Sequence, residues 1–276
     1  MPGTSLSGKA KAGVAYSSLG RVGVTMLMLV RTVILVRLLP VRDFGVIQLC
    51  FMIVDMATTM GDFGFSAAQI QQKEDVRREQ TNTLFAIDLS LKLVLFTVML
   101  ASVSTVSEYF REPLLKQVLP PLAAYMVLDC LTAPGFAILT RNMKFGTTAR
   151  IEFTARVADS VVAIAIALGG GGVWSLVFGR LMASAISGAL ACSASGWRPS
   201  LKIDLQGSKG LVKFGGWLFV RNIFNYLADN VDYFFVGRIL GTQQLGYYSK
   251  AFEVMRIPQS RLTRAITVVL FPAFAR

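Results

Sequence analysis

Eight apolar stretches, near residues 13–39, 44–70, 82–106, 115–140, 149–169, 172–194, 212–240 and 243–273, dominate this chain of 276 residues. Each is long enough to cross a hydrocarbon layer of about 30 Å, which takes about 20 helical residues. A bilayer offers no water to unpaired amides, so such segments fold as helices that close their own hydrogen bonds. With 54% hydrophobic and only 16% charged residues, the chain is more apolar than a water-soluble domain can hide. The longest polar stretch, 195–210, has the length of a linker and reads as a cytosolic connector.

A second pattern refines the first. Arg37-Leu-Leu-Pro-Val-Arg-Asp-Phe-Gly45 returns as Arg238-Ile-Leu-Gly-Thr-Gln-Gln-Leu-Gly246, each time between two long apolar segments and at a constant offset of 238 − 37 = 201 residues. A membrane chain whose halves repeat is usually a transporter with its substrate path between them. The expected fold is therefore all-α: a polytopic membrane helix bundle with one six-helix lobe over 1–205 and the first two helices of a second, pseudo-symmetric lobe over 206–276. Six spans per repeat is an even number, so both copies enter the membrane in the same sense, related by an axis along the membrane normal. Arg276 corresponds to Asp75 of the first copy, and on this reading the chain stops after two of six expected spans, about four helices short of a 12–14-helix transporter.

Gly169-Gly-Gly-Gly172 divides the fifth and sixth spans with almost no loop, and Trp174 beyond it fits an interfacial anchor. The N-terminal segment carries Lys9 and Lys11 and lacks a small-residue cleavage site after its first span, which is read as retained. Lysines and arginines outside the spans number ten on the N-terminus and even-numbered connections (Lys9, Lys11, Lys73, Arg77, Arg78, Arg141, Lys144, Arg198, Lys202, Lys209) and five on the odd-numbered ones (Arg37, Arg42, Arg111, Lys116, Arg238). The positive-inside rule then puts the N-terminus in the cytoplasm. The net charge of +12 is spread over alternating loops, so it implies no nucleic-acid partner.

Histidine is absent, which removes histidine acid–base chemistry and the commonest metal ligand. Cys50, Cys130 and Cys192 lie in apolar spans with no metal-like spacing and read as packing residues. No phosphate-binding loop of the ATPase type precedes a lysine. The expectation is a chain that is no enzyme and takes no cofactor or metal, with transport driven by a gradient or by consumption of the product.

Charge inside a span costs about 2.5–3.5 kcal/mol on insertion scales, so it faces a cavity or a partner. Asp55, Thr59 and Asp62 are spaced four and three apart on one face of the second span. Arg221, Asn225, Asp229 and Asp232 repeat the device in the seventh. Both stripes are assigned to a water-filled interior. Asp88 with Lys92, and Glu152 with Arg156 and Asp159, are spaced for local neutralisation. Arg21 and Arg31 have no acidic residue within four positions and need a partner from another helix or from a ligand, where a guanidinium suits phosphate. The offset also equates Arg31 with Asp232 and Asp55 with Arg256, a charge swap that predicts ion pairs latching the two halves.

Several ordered motifs carry a family resemblance. The run Val36-Arg-Leu-Leu-Pro-Val-Arg-Asp-Phe-Gly45, Met60-Gly-Asp-Phe-Gly-Phe-Ser-Ala-Ala-Gln-Ile-Gln-Gln72, Gly196-Trp-Arg-Pro199, Lys213-Phe-Gly-Gly216, Asp232-Tyr-Phe-Phe-Val-Gly-Arg-Ile-Leu-Gly241, Leu245-Gly-Tyr-Tyr-Ser-Lys-Ala251 and Leu270-Phe-Pro-Ala-Phe274 resembles the polysaccharide biosynthesis and oligosaccharide flippase family, the Wzx-type proteins. The resemblance implies a two-lobed exporter that turns polyprenyl-pyrophosphate-linked oligosaccharide across the bacterial inner membrane for surface polysaccharide, beside a polymerase and glycosyltransferases. It implies pyrophosphate contacts at Arg21 and Arg31, to which Arg221 is added on position; Asp55, Asp62, Asp229 and Asp232 complete the substrate-path set. A cation-coupled drug exporter of the same architecture, a membrane glycosyltransferase and a non-transporting fragment are the competing readings. The acidic stripes favour the first of these; short loops argue against the second.

Overall fold

The computed structural model describes residues 23–61, 78–200 and 209–255, which form helices joined by short turns, with no strand among them. Among these described residues nine helices follow in order: α1 (23–38), α2 (Val41–Gly61), α3 (Arg78–Phe110), α4 (Leu115–Asp129), α5 (Thr132–Arg141), α6 (Phe145–Leu168), α7 (Trp174–Ser195), α8 (Lys209–Ile239) and α9 (242–255). Among the described residues four spans are long and apolar enough to cross a membrane by length and composition: Val41–Met60, Glu79–Phe110, Leu115–Arg141 and Trp174–Ser195. The chain is a multi-pass membrane protein. Val94 and Val98 on α3, Val161 and Leu168 on α6, and Phe224, Phe235 and Ile239 on α8 stand exposed. In water such a surface would be a liability, whereas against lipid tails it is at home.

Each corner has a local cause. Pro40 has no N–H to continue α1, so that helix closes with Leu39 N–H on the Leu35 carbonyl at 2.9 Å, and Asp43 sits in the first turn of α2, where the helix dipole favours an acid. The equivalent corner 201 residues on repeats the bond: Leu240 N–H donates to Val236 carbonyl at 2.9 Å, and Gly241 turns the chain at φ +87°. At the α6–α7 reversal, Gly170 (φ +79°) and Gly172 (φ +52°) adopt conformations that disfavour any residue with a Cβ.

The fourth span is broken. Pro134 removes the N–H that would bond the Cys130 carbonyl and crowds that carbonyl with its ring. Cys130 and Leu131 therefore donate three residues back, to Val127 at 3.3 Å and Leu128 at 3.2 Å, and α4 ends at Asp129 in the middle of the span. The core forms where α2, α4 and α7 meet, around Leu49, Val54, Leu119, Leu122, Met126 and Val177. Cys50 is buried in it and Cys130 is buried outside it, both as free thiols. α6 lies along α7, and α8 lies against α2 and α3.

Candidate functional site

The middle of the bundle is hollow on one side. A cavity of about 370 Å³ opens between four helices, lined by Val24 and Met28 of α1, Tyr125 and Asp129 of α4, Glu152, Ala155 and Arg156 of α6, and Arg180, Ala183, Ser184 and Ser187 of α7. That volume falls within the roughly 300–1,000 Å³ of small-ligand sites. Arg180 lies over the Tyr125 ring at 4.5 Å from its centroid and within 5.8 Å of the Phe51 centroid. Its Nε is buried with no hydrogen-bond partner. The stacked rings hold the guanidinium plane while leaving its N–H edge free, the arrangement a bidentate anion needs. Tyr125 is itself fixed, since its hydroxyl donates to Asp55 on α2 and its carbonyl accepts from Ser184 Oγ at 3.5 Å.

Arg156 reaches the same wall from α6, within electrostatic reach of Arg180, Arg31, Asp159 and Glu152. Among the described residues neither Arg156 nor Arg180 forms an ion pair. Arg31 does: its Nη2 donates to Asp159 Oδ1 at 3.0 Å, with side-chain exposures of 18% and 7%. Asp159 is seated against Gly179, where any Cβ would crowd its carboxylate. This pair ties α1 to α6 beside the cavity.

The far end of the bundle is sealed. Glu112, 3% exposed, accepts from Arg42 Nη2 at 2.7 Å and Arg42 Nε at 3.2 Å, and from Thr242 Oγ1 at 2.8 Å. One carboxylate thus joins the start of α2, the start of α9 and the α3–α4 corner. Next to it the repeat-equivalent glycines Gly45 and Gly246 bring α2 and α9 into backbone contact. Among the described residues no group of three or more acidic or thiol side chains is placed to hold a metal ion.

A profile of the family described as "Polysaccharide biosynthesis protein" matches residues 34–276. The chain belongs to this polysaccharide biosynthesis protein family. It is similar to the lipopolysaccharide biosynthesis protein WzxC of Escherichia coli K12, with 27% identity over 99% of this chain and 56% of that protein. It is similar too to the teichuronic acid biosynthesis protein TuaB of Bacillus subtilis, with 24% identity over 99% of this chain and 56% of that one. The succinoglycan biosynthesis transport protein ExoT of Rhizobium meliloti is 28% identical over 95% of this chain and 53% of its own length. The chain spans about half the length of the curated relatives it matches. No solved structure matches it. The Wzx-type resemblance carried by the motifs is borne out.

The residues singled out from the sequence of this polysaccharide biosynthesis protein separate in space. Arg21 and Asp62 lie outside the described residues. Arg31 finds the cross-helix partner its isolation demanded, but that partner is Asp159 and not Asp232. Asp232 instead accepts from Tyr248 at 2.7 Å, so the latch expected between Arg31 and Asp232 is not formed here; Arg256, the expected partner of Asp55, lies outside the described residues. Asp55 packs behind Tyr125 and does not line the cavity. Arg221 and Asp229 are exposed on α8, away from the cavity wall. Local neutralisation holds for Lys92 and Asp88, joined at 3.0 Å, but not within α6: Asp159 turns to Arg31, and Arg156 is left facing the cavity.

Arg180 carried no assigned role in the sequence reading. The signal was present, because Leu176 to Ser184 contains no acid within four residues of Arg180, the same isolation that marked Arg21 and Arg31.

Proposed function

We propose that this chain is the substrate-binding portion of a flippase that moves polyprenyl-pyrophosphate-linked oligosaccharide from the cytoplasmic to the outer leaflet of the bacterial inner membrane during surface polysaccharide synthesis. The observation that carries the reading is the cavity wall, where Arg156 and Arg180 face open space in a membrane-spanning bundle with no carboxylate bonded to either. A guanidinium left in that state within a bilayer needs an anion, and a pyrophosphate offers a bidentate one. Arg31 stands one helix away, held by Asp159, and joins the anion set when that pair opens; Arg21, ten residues before it in the sequence, is proposed to do the same.

On this reading residues 1–205 make a six-helix lobe, 206–276 supply the first two helices of its pseudo-symmetric partner, and the N-terminus is cytoplasmic. Arg221, Asp229, Asp232, Asp55 and Asp62 are kept as proposed substrate-path residues. The sealed end around Glu112 is the outer end, which makes this conformation inward-facing. Membership of the family and the names of the similar proteins support the substrate class.

A cation exporter draws on Asp129 and Glu152, which line the same cavity. Binding in lipid nanodiscs separates the two readings. Farnesyl pyrophosphate should bind and compete with no help from its alcohol, and Arg156→Ala or Arg180→Ala should each weaken it by about 10- to 100-fold. Preference for tetraphenylphosphonium over farnesyl pyrophosphate would replace the flippase reading with the exporter.

A further inference from the structure

The cavity wall has a back as well as a face. Behind Tyr125, on α2, Phe51 and Asp55 stand one helical turn apart and so share a side of that helix. Both bear on Arg180. The Phe51 centroid is 5.8 Å from the guanidinium carbon, and the Asp55 carboxylate is within electrostatic reach of it. Among the described residues Asp55 and Arg180 nevertheless form no ion pair. Asp55 Oδ1 accepts instead from the Tyr125 hydroxyl, and the Tyr125 ring carries the guanidinium at 4.5 Å. The turn that presents Asp55 is anchored from its other side, where the Tyr226 hydroxyl of α8 donates to the Met52 carbonyl at 2.7 Å.

Two effects of opposite sign meet at Asp55. A carboxylate left bare at this place would pair with Arg180 and compete with any anionic ligand. A carboxylate engaged by a hydroxyl is committed elsewhere, and its bond fixes the ring that orients the guanidinium. Tyr125 is 2% exposed, and a buried hydroxyl deprived of its acceptor has to turn toward another. The open direction is the cavity that Tyr125 lines, and that turn would carry the ring out from under Arg180.

We infer that Asp55 is a positioning residue of the anion site: its bond with Tyr125 keeps the ring stacked on Arg180 and keeps the carboxylate itself off the guanidinium, so that the N–H edge stays free for the ligand. Asp55 serves the substrate path from behind the wall, without touching the ligand. This rests on the anion-binding reading of the cavity and names what holds its arginine in place.

The test is farnesyl pyrophosphate binding to the full chain in nanodiscs across a double-mutant cycle. Asp55→Ala strands the hydroxyl and Tyr125→Phe frees the carboxylate to pair with Arg180, so each should weaken Kd by about five- to tenfold. Asp55→Ala/Tyr125→Phe leaves neither group unpaired and should return to within about twofold of wild type. Asp55→Asn keeps an acceptor for the hydroxyl and should bind as wild type does. Additive losses in the double variant, or binding by Asp55→Asn as weak as that by Asp55→Ala, overturn the positioning role. Unchanged or tighter binding by Asp55→Ala also overturns it, the latter making Asp55 a plain counter-ion to Arg180. In all of these cases wild-type binding that falls in Arg180→Ala keeps the anion site. No binding by wild type overturns the anion site and the positioning role together. Where Asp55→Ala does not fold, Asp55→Asn/Tyr125→Phe takes its place. With no charge left to free, it should bind more tightly than Tyr125→Phe, and equal binding overturns the assignment.

Discussion

Gly45 on α2 and Gly246 on α9, 201 residues apart in sequence, lie backbone to backbone. A Cβ built on Gly45 would overlap the Thr242 carbonyl and come within 3.1 Å of the Gly246 nitrogen, and one on Gly246 would overlap the Val41 carbonyl. Val41 and Thr242 are themselves equivalent under the same offset, so the contact is reciprocal, as two-fold-related copies of one corner require. The repeat in the sequence is thus a repeat in space, and its two copies touch at that motif.

This reciprocity has a symmetrical consequence. Gly45→Val and Gly246→Val should each lower stability by about 1–3 kcal/mol through overpacking, while Gly146→Ala, with open space around it, should change little. Thermal unfolding in nanodiscs checks this, and a glycine variant that melts with wild type would show that the corners do not pack in this way.

Arg31 and Asp159 are coupled across 128 residues of sequence. Removing one partner leaves the other in the bundle unneutralised, so Arg31→Ala and Asp159→Ala should each cost about 3 kcal/mol, and the double variant should cost clearly less than their sum. Strict additivity in the unfolding free energies would mean the pair contributes nothing.

Arg180 is held by stacking as well as by charge. Lysine keeps the charge but neither the planar fork nor the stack, so Arg180→Lys should recover only part of the farnesyl pyrophosphate affinity lost in Arg180→Ala, remaining roughly tenfold weaker than wild type. Full recovery by lysine would reduce Arg180 to a point charge.

At the sealed end, Glu112→Gln replaces a carboxylate that serves both Arg42 and Thr242 with an amide that accepts less strongly. The start of α9 should then open more often. In a cysteine-free background carrying Ser249→Cys, at a position on α9 that is 5% exposed, labelling by a membrane-impermeant thiol reagent should quicken by about tenfold, the equivalent of about 1.4 kcal/mol. Unchanged labelling would mean that the glycine contact alone closes this end.

The sequence was sufficient for the helical, membrane-spanning character, the repeat and the family, because each rests on patterns the local chain carries: apolar length, corner motifs and isolated charges. It named Asp88 with Lys92 correctly for the same reason, since partners one helical turn apart meet whatever the tertiary arrangement. Only the tertiary structure decided which arginine is neutralised by an ion pair and which lines the cavity. Arg31, Arg156 and Arg180 look alike as residues in apolar helices, and their fates diverge because neutralisation depends on the rotation and depth of packed helices. Those place Asp159 against Arg31, turn Arg156 and Arg180 toward the cavity, and put the Tyr125 ring beside Arg180 with its hydroxyl on Asp55.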